Sequence, residues 1–127
     1  MIHGRTHHGR EFDVEHRSHI EGNLWVGAFT PGARVLDLRD AFPDSIEQPV
    51  PADVIEALVD RAEAMMADGP ILICCTAGIN RSPLVAARIL MRHGHTADAA
   101  IALLRERRGD IVLCNPTFES WLREVVA

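Results

Sequence analysis

The chain has 127 residues, 47% of them apolar and 24% charged, with a net charge of −5; that is one domain with a single core and little room for a second. No apolar run approaches the roughly 20 residues that span a bilayer, and the N-terminus carries charges and histidines where a signal peptide needs an apolar stretch. The expectation is a cytoplasmic protein, and the acidic balance speaks against broad nucleic-acid binding. Every basic residue is Arg, and the chain has no Tyr. Any anion site must therefore use guanidinium groups or backbone amides. Cys74, Cys75 and Cys114 make neither a disulfide framework nor a four-ligand zinc site. A reduced protein with one working thiol and no metal or cofactor is the simpler account.

Residues 1–22 are polar, with His3, His7, His8, His16 and His19 among Arg and Glu. Without apolar periodicity they are expected to form a solvated arm, ahead of a domain over residues 23–127. Asn23-Leu24-Trp25-Val26-Gly27 predicts a short strand. Arg34-Val35-Leu36-Asp37-Leu38 alternates as a half-buried strand does. The breaker-rich stretch from Phe42-Pro43-Asp44 to Pro49-Val50-Pro51 predicts a loop. Val54, Ile55, Leu58, Val59, Ala62, Met65 and Met66 recur at helical spacing until Gly69-Pro70 stops them. Ile71-Leu72-Ile73-Cys74 predicts a buried strand, and residues 83–93 a helix with Pro83 in its first turn. Thr96 opens a third helix with Ala100, Ile101 and Leu104 inward. Asn115-Pro116 opens a fourth with Phe118, Trp121, Leu122 and Val125 on one face. The fold class is α/β: a small, mainly parallel sheet flanked by helices.

Residues 71–91 carry the chemistry: buried strand, glycine-containing loop, helix. Such a unit aims loop amides and a helix N-terminus at one point, a ready anion site. Cys75 stands at its mouth, where those amides and Arg81 favour the thiolate. Arg81 lies six residues after Cys75, and its planar fork suits two oxygens of a phosphoryl group. Ser82 is placed to hydrogen-bond the sulfur. Thr76, Ala77, Gly78, Ile79 and Asn80 supply the backbone of the cradle.

Cys75-Thr76-Ala77-Gly78-Ile79-Asn80-Arg81-Ser82-Pro83 resembles the signature loop of the cysteine-based protein tyrosine phosphatases, particularly the compact dual-specificity branch with its small bacterial members. Asn23-Leu24-Trp25-Val26-Gly27 is similar to the family's opening strand. Residues 97–108 with Asn115-Pro116-Thr117-Phe118 resemble its closing helices. The resemblance implies a phosphatase-like fold and a phosphomonoester hydrolase working through a cysteinyl-phosphate. Phosphotyrosine would be its substrate, with phosphoserine and phosphothreonine as further candidates. It also implies a general acid on a loop upstream of the cysteine. Asp44, 31 residues before Cys75, is the candidate, and Asp40 the runner-up.

The chain departs from the family pattern at two places. Cys74 stands where members carry His, which implies a less activated thiolate at Cys75. Only seven residues separate Gly27 from Val35, too few for the usual helix and further strand, so the N-terminal sheet region is shortened. These departures keep open a pseudophosphatase that binds phosphorylated partners without turnover. An RNA 5′-triphosphatase also carries Asn before the Arg, but the acidic charge opposes it. The expected partner is a phosphorylated protein or a small phosphomonoester, with no nucleic acid or membrane. Oligomeric state is unreadable.

Overall fold

The computed structural model describes residues 2–7, 10–14, 17–32 and 34–125, the first two stretches by their backbone alone. Strands β1 (Ile2–His7) and β2 (Arg10–Val14) pair antiparallel as a separate ribbon. A second sheet joins β3 (Arg17–Glu21), β4 (Leu24–Ala28), β5 (Val35–Asp37) and β6 (Ile71–Cys75) in the order β3-β4-β6-β5. β3 pairs antiparallel with β4, and β6 pairs parallel with both β4 and β5. The mainly parallel α/β sheet expected from the sequence is present.

β3 is the main local difference, because it lies within the stretch expected to be a solvated arm. Of its five residues only Ile20 is buried. An edge strand with charged residues facing water leaves almost no apolar period to read. The side chains of His3, His7, His8 and His16 lie outside the described residues. His19 is described; its Nε2 lies 2.8 Å from the Gly22 carbonyl oxygen and its ring packs 4.9 Å from Trp25.

Four helices follow the expected punctuation: α1 (Ala52–Met66), α2 (Arg81–Arg92), α3 (Ala97–Arg108) and α4 (Pro116–Glu124). The Thr96 side chain caps α3 by accepting from the Ala99 amide. Asn115 caps α4, accepting from the amides of Thr117 and Phe118, with Pro116 in the first turn. α2 is buried from Ser82 to Met91; it is the helix around which the others pack.

Side chains alternate across the sheet. Leu24 and Val26, Leu36, and Ile71, Ile73 and Cys75 enter one apolar cluster with Ile55, Val59, Leu84, Ile89, Leu104, Phe118 and Leu122 of the helices. Trp25, Val35, Leu72 and Cys74 occupy the alternate positions, on the other face. A groove of about 460 Å³ lies there, bounded by Trp25, Pro31, Val35 and Leu72. β4 and β5 both pair with β6, the strand that leads into the loop at residues 76–80.

Candidate active site

Cys75 ends β6, and α2 begins at Arg81, so residues 76–80 form a loop between the sheet's C-terminal edge and a helix N-terminus. Cys75 is buried, as are Ala77, Ile79, Asn80 and Ser82, whereas Thr76 is exposed. The loop's carbonyls turn outward. Arg108 of α3 donates from Nε to the Gly78 oxygen at 2.8 Å and from Nη2 to the Ala77 oxygen at 3.0 Å. The Leu113 amide donates to the Ile79 oxygen at 2.8 Å. In a trans peptide the N–H points opposite to the C=O. The amides of Gly78, Ile79 and Asn80 therefore face inward and converge, as an anion cradle requires.

Gly78 makes this path possible. Its φ is +69°, and a Cβ there would collide with the Gly27 backbone on β4 and approach Arg108. Arg108 extends the brace by donating to Ser18 Oγ on β3 at 3.2 Å. Arg105 supports the next segment, donating from Nε to the Val112 oxygen at 2.9 Å. Sequence reasoning missed both arginines. Basic residues in a helix's last turn are ordinary dipole partners, and nothing local ties Arg108 to a loop 30 residues away or Arg105 to the turn after its helix.

Arg81 donates from Nη1 to the Arg39 main-chain oxygen at 2.6 Å and from Nη2 to Thr76 Oγ1 at 3.2 Å. These two bonds orient the guanidinium. Its Nε and the hydroxyl of Ser82 are buried without a hydrogen-bond partner among the described residues. Unpaired buried donors cost on the order of 1–3 kcal/mol each, so their presence in this loop marks a place built for an acceptor.

Asp44, the candidate from the spacing, is held beside Asn80 at the end of the loop. Its Oδ2 accepts from Asn80 Nδ2 at 3.3 Å and its Oδ1 from Asn115 Nδ2 at 2.8 Å. Asn80 is 1% exposed and Asn115 fully buried, and the Asn115 amide donates to Asn80 Oδ1 at 3.0 Å. One network thus joins the segment of Asp44, the loop between β6 and α2, and the start of α4. Asp40 is exposed and lies outside this network.

Cys114 is close to it: Asn80 Nδ2 lies 3.7 Å from Cys114 Sγ. Cys74, at the position where the resemblance expects His, is fully buried. Burial pushes its thiol up, only partly offset by the Thr30 amide facing it. It stays a neutral thiol and offers no imidazole to the loop.

Among the described residues, no group of three His, Cys, Asp or Glu could hold a metal ion, and no helix is long and apolar enough to cross a membrane. The chemistry at hand is a thiol, a guanidinium, a carboxyl, a hydroxyl and converging amides.

A search of the curated proteins returns no match. Among solved structures, a mouse protein assigned to the dual specificity phosphatases and solved with zinc tungstate superposes with a TM-score of 0.73 at 19% identity. It covers 95% of this chain and 90% of its own. The PTP-2 phosphatase of Cydia pomonella gives 0.71 at 19% identity, over 85% and 88%. Human DUSP28 gives 0.64 at 20% identity, over 85% and 90%. At these identities the likeness establishes the fold. Residues 44–126, from the candidate acid through the phosphate loop to the last helix, match the family model described as the dual specificity phosphatase catalytic domain. The chain belongs to the dual specificity phosphatase family.

Proposed function

We propose that the protein hydrolyses phosphomonoesters through a phosphorylated Cys75, with phosphotyrosine as a substrate and phosphoserine and phosphothreonine as further candidates. The observation that carries this reading is the loop itself. The outward carbonyls of Ala77, Gly78 and Ile79 leave their partner amides inward, beside the partnerless Arg81 Nε and Ser82 Oγ. The Cys75 thiolate attacks phosphorus, forming a P–S bond as the ester P–O bond breaks. Arg81 and the inward amides take up the charge on the equatorial oxygens. Asp44 gives its proton to the leaving oxygen. It then takes a proton from the water whose oxygen bonds to phosphorus as the P–S bond breaks, and Ser82 donates a hydrogen bond to the departing sulfur.

Asn80 and Asn115 are positioning residues in this scheme, since they fix the direction of the Asp44 carboxyl. Wild-type turnover should be bell-shaped in pH, with the alkaline limb set by Asp44 losing its proton. Asp44→Asn is expected to lower kcat by roughly 10²-fold or more and to flatten that limb. The loss should be smaller for para-nitrophenyl phosphate, whose leaving group departs readily as an anion, than for an alkyl phosphate. A wild-type rate and profile in Asp44→Asn would remove Asp44 from the mechanism.

The second reading is a pseudophosphatase, and the neutral, buried Cys74 is the observation that favours it. Folded, reduced wild-type protein that binds phosphopeptides but hydrolyses neither them nor para-nitrophenyl phosphate would decide for it.

A further inference from the structure

Among the described residues, Arg81 is held by two uncharged oxygens. Nη1 donates to the Arg39 main-chain oxygen at 2.6 Å and Nη2 to Thr76 Oγ1 at 3.2 Å. A guanidinium presents its N–H donors in one rigid plane. These two bonds engage one donor on each terminal nitrogen and so fix that plane. They leave Nε, which is buried without a partner, and a second hydrogen on Nη2. Nε and Nη2 together make a fork that meets two phosphoryl oxygens.

The Arg39 oxygen is itself set in place. Asp37 Oδ1 accepts from the Arg39 amide at 3.0 Å, closing a tight turn just after β5. The Arg39 side chain is engaged elsewhere: Nε and Nη2 donate to Asp37 at 3.0 and 2.9 Å, and the guanidinium carbon lies 3.4 Å from the centre of the Phe29 ring. Arg39 therefore meets Arg81 through its backbone, which no side-chain substitution removes. Thr76 is the opposite case. It is exposed, so it adds little to the core, yet its hydroxyl reaches the guanidinium five residues on. A hydroxyl orients the cation without neutralising it, whereas a carboxylate there would compete with the phosphoryl group for its charge.

We propose that Thr76 is a positioning residue for this reaction, its hydroxyl locking the Arg81 guanidinium so that Nε and Nη2 face the phosphoryl group. The proposal rests on the phosphatase reading above. Its test measures binding of inorganic phosphate, which needs no turnover, beside hydrolysis of para-nitrophenyl phosphate. Thr76→Val keeps the shape and removes the acceptor. It should weaken phosphate binding about three- to tenfold, the scale of one hydrogen bond. The fall in kcat should be at least as large, because Arg81 is needed most as charge develops in the transition state. Thr76→Ser restores the hydroxyl and should return both values to within about twofold of wild type. In Arg81→Lys, which has no plane to hold, adding Thr76→Val should cost nothing further.

Wild-type binding and kcat in Thr76→Val overturn the proposal. So does a Thr76→Ser variant as impaired as Thr76→Val, or the same loss repeated in Arg81→Lys. If the wild type binds phosphate but does not hydrolyse para-nitrophenyl phosphate, the phosphatase reading falls and the binding series alone decides the role of Thr76. A folded wild type that binds no phosphate overturns both.

Discussion

Cys75→Ser is expected to lower kcat for para-nitrophenyl phosphate by roughly four to six orders of magnitude, as loss of a covalent nucleophile does. Serine is nearly the same size, and Cys75 is packed in the core cluster, so the fold and the cradle should survive. The hydroxyl, however, stays protonated where a thiol ionises, and no described side chain is placed to act as its base. Inorganic phosphate should still bind the variant, because Arg81 and the loop amides are untouched. Circular dichroism separates a folded, inactive protein from an unfolded one. A variant keeping about a tenth of the wild-type kcat would put the nucleophile at another residue.

Gly78→Ala should be the most damaging small substitution in the chain. Alanine at φ +69° costs about 1–2 kcal/mol in backbone strain. Its Cβ would also come within 2.5 Å of the Gly27 oxygen, and relieving such overpacking costs typically 1–3 kcal/mol more. The strand behind the loop cannot move without breaking its pairing with β6. We expect a fall in Tm of roughly 10 °C and a loss of phosphate binding, since Arg108 could no longer reach the Ala77 and Gly78 carbonyls. Gly94→Ala is the control. Gly94 also has positive φ, +106°, but no atom within 4 Å of the new Cβ. Equal destabilisation by the two substitutions would mean that backbone strain alone matters and that the contact with β4 is unimportant.

Local pattern was enough to read the strand–loop–helix unit. Residues of β6 are all buried and run apolar from Ile71, the loop holds the one glycine its path demands, and α2 starts within two residues of Pro83. The helix boundaries were legible for the same reason: Thr96 and Asn115 cap α3 and α4 through bonds spanning two or three residues. Asp44 was a candidate only through family resemblance and spacing. Its contacts with Asn80 and Asn115 span 36 and 71 residues, and no local pattern encodes them. Arg108 bracing Gly78 and Arg39 stacked on Phe29 were illegible on the same ground. β3 was missed because an edge strand with one buried residue looks like polar loop. The shortened β4–β5 connection was visible as a length; that β4 and β5 both flank β6 needed the sheet order.

The measurement to make first is to mix wild-type protein with excess para-nitrophenyl phosphate, stop the reaction by rapid denaturation at neutral pH, and examine the peptide containing Cys75 by mass spectrometry. One phosphoryl group on the Cys75 sulfur, formed at a rate no slower than turnover and absent from Cys75→Ser, is the predicted result. Steady turnover with Cys75 unmodified at every time point, or a phosphoryl group carried by another residue, would contradict it.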